Sequence, residues 1–261
     1  MKTIKFDKEP QYADLWDACL YNFLYDKKKY LSEVISLFKK IAISKKSLIL
    51  DSSAGTGFIA LYLRKKGYSV NCMDPMDDEI SVFKRKAKKL GTSQQIKKIF
   101  WTNIPTTYKK NKFNFIFCRG NSFIYADGGW NEKQKINKKS ALKSYKQTLQ
   151  IFYNQLKVGG FLYIDKFPDN EISHKNLVGF IQIKNQKKED LLFYTKRIPK
   201  KRSREAMMIR KKTNGKEEGI PNITFDLKEK ELEEMMKKVG FKVQKLKLKS
   251  EKHFVVWLAK K

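Results

Sequence analysis

A chain of 261 residues holds one large domain, or one domain carrying an insertion. Its 41% hydrophobic and 13% aromatic content excludes a disordered polymer, and no apolar run is long enough to span a bilayer. A formal net charge of +30 invites an anionic partner, nucleic acid or acidic membrane, yet only seven of the 57 basic residues are Arg, the side chain that bidentate phosphate and base recognition favours. The lysines are spread along the chain, so a solvated basic surface is the expected reading and nucleic acid is not the favoured partner.

The first forty-five residues read as a helical arm. Trp16, Leu20, Phe23 and Leu24, and then Leu31, Val34, Ile35, Phe38 and Ile41, recur at helical spacing. Residues 46–168 alternate strand with helix. A buried strand at 47–50 runs into a Gly-rich turn, and an apolar helix follows and stops at Gly67, a position suited to a left-handed C-terminal residue. A second strand ends at Asp74, a helix covers about 76–90, and strands are expected at 96–101 and 113–118. A long helix over about 139–156 precedes a strand at 161–165. This alternation predicts a parallel sheet with right-handed crossovers. In residues 169–226 four strand-like segments follow one another without helices, which predicts an antiparallel insertion. Residues 227–261 read as a helix, Gly240 and two closing strands.

The turn after the first core strand is Asp51-Ser52-Ser53-Ala54-Gly55-Thr56-Gly57. Glycines there let backbone approach a ligand, and a helix N-terminus offers unpaired N–H groups. A dinucleotide fingerprint would need glycines where Ser53 and Ala60 stand. A carboxylate inside the turn repels a pyrophosphate but suits a cationic amino group, and Asp74, 23 residues on, suits ribose hydroxyls. The three cysteines, Cys19, Cys72 and Cys118, form neither a disulfide framework nor a metal motif, so no metal is expected and the expected setting is reducing and cytoplasmic.

On these residues the segment 48–74 resembles the cofactor half of class I S-adenosylmethionine-dependent methyltransferases, in particular glycine and glycine/sarcosine N-methyltransferases. The resemblance spans roughly residues 10 to 170 and includes Gln11-Tyr12-Ala13-Asp14 in the arm, Trp101, and Gly120-Asn121-Ser122-Phe123 after the fourth strand. It implies an α/β, Rossmann-like fold with a seven-stranded, mostly parallel sheet, an N-terminal helical cap and the antiparallel insertion. It implies S-adenosyl-L-methionine as cofactor, held by Asp51, Ser53, Ala54, Gly55, Gly57, Asp74, Pro75, Met76, Trp101 and Thr102; Arg119, where the family has an apolar residue, is a further cofactor-side candidate. The acceptor it implies is a small amine or amino acid, met by Tyr12 and Asn121, with Lys166 where the family carries an arginine that clamps the glycine carboxylate. Tyr194 and Arg197 in the insertion are further substrate-side candidates, and Trp130 beside Gly128 and Gly129 is a candidate lid. The alternative reading keeps the cofactor and makes RNA the substrate.

Overall fold

Residues 46–128 and 137–168 fold, as their alternation predicts, into helices packed on a mostly parallel sheet. The computed structural model describes residues 1–20, 25–109, 112–128, 137–170, 174–219, 221–251 and 253–261. Phe23, Leu24, Gly129 and Trp130 lie outside the described residues. In chain order the elements begin with β1 (Thr3–Phe6), α1 (Tyr12–Cys19), α2 (Lys27–Lys40), β2 (Leu48–Asp51), α3 (Ala60–Lys65), β3 (Ser69–Asp74) and α4 (Asp77–Lys89). They continue with β4 (Ile96–Lys98), α5 (Ile104–Thr107), β5 (Phe113–Cys118), α6 (Lys138–Gln155), β6 (Leu156–Lys166), β7 (His174–Ile183) and β8 (Glu189–Ile198). The last are β9 (Ser203–Lys211), β10 (Glu217–Gly219), β11 (Asn222–Phe225), α7 (Glu229–Val239), β12 (Lys242–Leu246) and β13 (Val255–Lys260).

The core sheet has seven strands in the order β12-β13-β6-β5-β2-β3-β4. Neighbours from β6 to β4 are parallel, and β13 and β12 close one edge antiparallel. Its central strands are apolar on both faces, as a sheet covered on both sides requires. Along β5, Phe115 and Phe117 pack with Phe38, Leu61 and Tyr163 on one side, while Ile116 and Cys118 pack with Tyr145, Phe152 and Trp257 on the other. At about 1.5–3 kcal/mol for each fully buried large apolar side chain, these two clusters are the main stabilising term of the fold.

A second sheet runs β1-β7-β8-β9-β10, with β11 also paired to β9. It is antiparallel except for β1, which pairs in parallel with β7. The N-terminal region is therefore not helical throughout. Thr3 to Phe6 alternate exposed and half-buried and add an edge strand to the insertion, and helix begins only at Tyr12. The strand expected at 96–101 also stops at Lys98, and Trp101–Asn103 form a short 3-10 turn. None of the described helices is long and apolar enough to cross a membrane.

Candidate active site

The order of the core sheet reverses between β2 and β5, and in open parallel sheets ligands bind in the crevice beyond the strand ends at that point. Here the crevice holds a cavity of about 260 Å³ under α1 and the second sheet. A neighbouring cavity of about 180 Å³ lies beside Trp101, and Ser53, Asp74, Ser122 and Tyr125 line both.

The turn after β2 is sewn to its neighbours before any ligand is considered. Ser52 donates backbone N–H and hydroxyl to the Phe117 carbonyl at 2.9 and 2.6 Å, and Ala54 N donates to Met73 O at 3.0 Å. The Ser53 hydroxyl exchanges hydrogen bonds with the Arg119 backbone, at 3.0 and 3.3 Å. Gly57 has φ of +84° and no room: a Cβ there would lie 2.7 Å from Leu61 Cδ1 and 2.8 Å from Phe83 Cδ2. A left-handed backbone packed this closely requires glycine.

Four acidic side chains define the electrostatics. Asp51 is wholly buried, and apart from the Ser53 backbone N–H nearby neither carboxylate oxygen meets a short, well-formed hydrogen-bond donor. Burial raises its pKa, against the opposing pull of the Arg119 guanidinium 4.0 Å away. Asp74 accepts from Gly55 N at 2.9 Å and Met76 N at 3.0 Å, yet burial still lifts its pKa to about 6. Asp165, at the end of β6, accepts from Gly120 N and Asn121 N at 2.9 and 2.7 Å; it too is raised to about 6 by burial. Glu79 on α4 lines the larger cavity with one buried, unpartnered oxygen. Arg119 is 4% exposed and stacks over Phe58 at 5.0 Å; burial works against its charge, and Asp51 together with Tyr30, Tyr25 and Asp165 more than offsets this.

The cofactor-side candidates gather around the two cavities. Ser53, Ala54, Gly55, Asp74, Met76 and Arg119 line the larger one, and Pro75, Trp101 and Thr102 the smaller, where Trp101 Nε1 donates to Ser52 O at 2.6 Å. Asp51 and Gly57 sit behind the lining. Tyr12 opens α1 and reaches the larger cavity, its hydroxyl accepting from Met208 N at 3.4 Å; burial pushes its pKa up to about 12. Asn121 adopts a left-handed φ of +61° and lines the same cavity, but its Oδ1 accepts from Phe167 N at 3.0 Å, which leaves the amide nitrogen for a ligand.

Three expected substrate residues stand elsewhere. Lys166 Nζ donates to Phe167 O at 2.6 Å and pairs with Asp169 at 2.8 Å, so it does not line the cavity. Arg197 donates from Nε and Nη2 to Asp226 Oδ2, at 3.2 and 2.7 Å, and is likewise absent from the lining. Tyr194 is on the wrong face of β8: successive side chains alternate, and its neighbour Phe193 is the one turned into the cavity. Besides Phe193, the cavity walls include Trp16, Phe167, Met207 and Asn222, none of which the sequence singled out as a site residue. The buried alternation of Leu191, Phe193 and Thr195 carried the signal for Phe193. Glu79 carried no such signal, because acids in a first helical turn ordinarily complement the helix dipole.

The fold is that of the Rossmann-like methyltransferase structures. The chain is similar to an S-adenosylmethionine-dependent methyltransferase from Clostridium acetobutylicum ATCC 824, with a TM-score of 0.67 at 15% identity over 94% of this chain and 97% of that one. It is also similar to a sugar N-methyltransferase from Streptoalloteichus sp ATCC 53650, with a TM-score of 0.69 at 12% identity over 100% and 97%. An amino pentose methyltransferase from Micromonospora echinaspora, solved with S-adenosylmethionine bound, gives 0.66 at 12% identity over 97% and 99%. No family model and no curated protein sequence matches the chain. At these identities the likeness is one of fold.

Proposed function

We propose that the chain is an S-adenosylmethionine-dependent methyltransferase that N-methylates a small amine. The observation that carries this reading is Asp51. A wholly buried carboxylate whose nearest cation stands 4.0 Å away and whose oxygens lack a short, well-formed hydrogen bond is costly, and a cationic amino group brought to the adjacent turn offsets that cost. Asp74 offers a second carboxylate at the junction of the two cavities, and Trp101, Pro75 and Thr102 offer a slot of the right character for a flat base.

When bound, the cofactor supplies an activated methyl group on a sulfonium centre. The protein's part is to align an acceptor nitrogen and keep water away. Tyr12 and the Asn121 amide nitrogen are placed to orient the acceptor, and Trp16, Phe167 and Phe193 exclude solvent.

The acceptor is an amine on an uncharged body rather than a free amino acid. A glycine-like substrate needs a cation for its carboxylate, and Lys166 and Arg197 are both committed to ion pairs. Among the lining residues the cation is Arg119, which faces Asp51, while the other ionisable lining groups include the acids Asp74, Asp78 and Glu79. The fold relatives include proteins described as acting on amino sugars, in keeping with such an acceptor. In the basic run 196–204, Arg197 pairs with Asp226 and Arg202 with Glu231, which gives no support to the RNA reading.

Calorimetry with S-adenosylmethionine and S-adenosylhomocysteine tests the cofactor, and absence of binding at millimolar ligand would overturn the proposal. Labelled cofactor with glucosamine, 2-aminoethanol, glycine, sarcosine and RNA tests the acceptor. Transfer to the two neutral-bodied amines is expected, and transfer to glycine or RNA alone would overturn the acceptor assignment.

A further inference from the structure

Glu79, the third residue of α4, turns its carboxyl onto the backbone of Gly55, and a Cβ built on that glycine would lie 3.4 Å from Glu79 Oε2. The oxygen is buried, has no hydrogen-bond partner and belongs to a residue lining the larger cavity. The groups facing it are Tyr12 and Asp17 from α1, Asp74 from β3, and Asp78 and Lys86 from α4 itself. Lys86 is paired with Asp17 at 2.6 Å. Burial first, and then Asp74, Asp78 and Asp17, raise the Glu79 pKa well above the ordinary carboxyl range, and Lys86 opposes them.

A buried carboxyl in such company is relieved by a cation entering the cavity. Both forms of the cofactor bring a cationic amino group, and they differ in the further charge of the sulfonium, which the methyl donor carries and the spent thioether lacks. We propose that Glu79 is a specificity residue that makes the cavity select the sulfonium form over the thioether, so that loss of the methyl also weakens the hold on the spent cofactor. The inference rests on the cofactor reading above. Glu79 acts here through charge on binding, with no part assigned to it in the transfer.

The test is calorimetry on the full chain at neutral pH with S-adenosylmethionine and S-adenosylhomocysteine, for the wild type and Glu79→Gln, which keeps the size and cannot ionise. The ratio of the two affinities is expected to narrow by about tenfold in the variant, through weaker binding of the sulfonium, with thioether affinity held within about twofold. An unchanged ratio in a variant that binds both ligands would overturn the proposal. A second measurement needs no variant. Repeating the titrations in buffers of different ionisation enthalpy should show more proton release by the wild type on binding the sulfonium than on binding the thioether; equal release would overturn it. If the wild type binds neither ligand, the cofactor reading itself fails, an outcome distinct from either of these.

Discussion

Replacing Arg119 with Met tests the electrostatic design of the site most directly. The guanidinium is 4% exposed and lies 4.0 Å from Asp51, whose oxygens otherwise have only the Ser53 backbone N–H to fall back on. At an effective dielectric of about 20, a pair at this distance is worth about 4 kcal/mol, within the ~3–5 kcal/mol lost when one partner of a buried pair is removed. Arg119→Met is therefore expected to lower unfolding stability by about 3–4 kcal/mol at neutral pH, measured by urea denaturation. The loss should depend on pH. Asp51 in the variant titrates further above its unfolded value of about 3.9, so the folded state binds the extra proton and stability falls as pH rises through that window. The deficit relative to wild type is thus larger at about pH 8 than at about pH 5, by up to ~1.4 kcal/mol per pH unit inside the window. Adding Asp51→Asn should return a large part of it. A loss below about 1 kcal/mol, or one that ignores pH, would refute the reasoning.

Gly57→Ala should cost about 2–4 kcal/mol, because the methyl must adopt a left-handed backbone and displace Leu61 and Phe83; a thermal melt within a degree or two of wild type would show the turn to be more yielding. Lys166→Ala and Arg197→Ala should leave kcat/KM for the preferred acceptor within about threefold, since both cations are spent on carboxylates; a hundredfold loss in either would put that cation on the substrate. Asp74, raised to about 6, contributes stability that is complete below about pH 4 and is lost as pH rises through about 6. The stability difference between wild type and Asp74→Asn should therefore move against the wild type by up to about 2–3 kcal/mol across that window, and a flat difference in parallel urea titrations would contradict the shift.

The parallel core and the turn at Asp51 were legible because each rests on local grammar. Strands 48–51, 69–74 and 113–118 are apolar runs closed by turn or charge, and the glycines at 55 and 57 have few other uses between a strand and a helix. The rest depended on pairings that only the folded chain makes. Lys166 reads as a substrate cation until Asp169 is seen to take it, and Arg197 until Asp226, 29 residues on, does the same. Tyr194 reads as a substrate-side candidate, and the pleat of β8 turns it to the face opposite Phe193. The first strand escaped notice because Thr3 to Phe6 is four residues long and becomes a strand only by pairing with Phe180 to Ile183.

That short strand changes how the cavity is covered. It anchors the beginning of the chain to β7, while Tyr12, a few residues later, is tied to the backbone of Met208 in β9. With the Glu9–Arg210 ion pair between them, these ties stitch the leading segment to the insertion, and Tyr12 and Trp16 make it part of the cover over the crevice. The two ends of the cover, the arm and the insertion, are therefore one connected surface over the crevice.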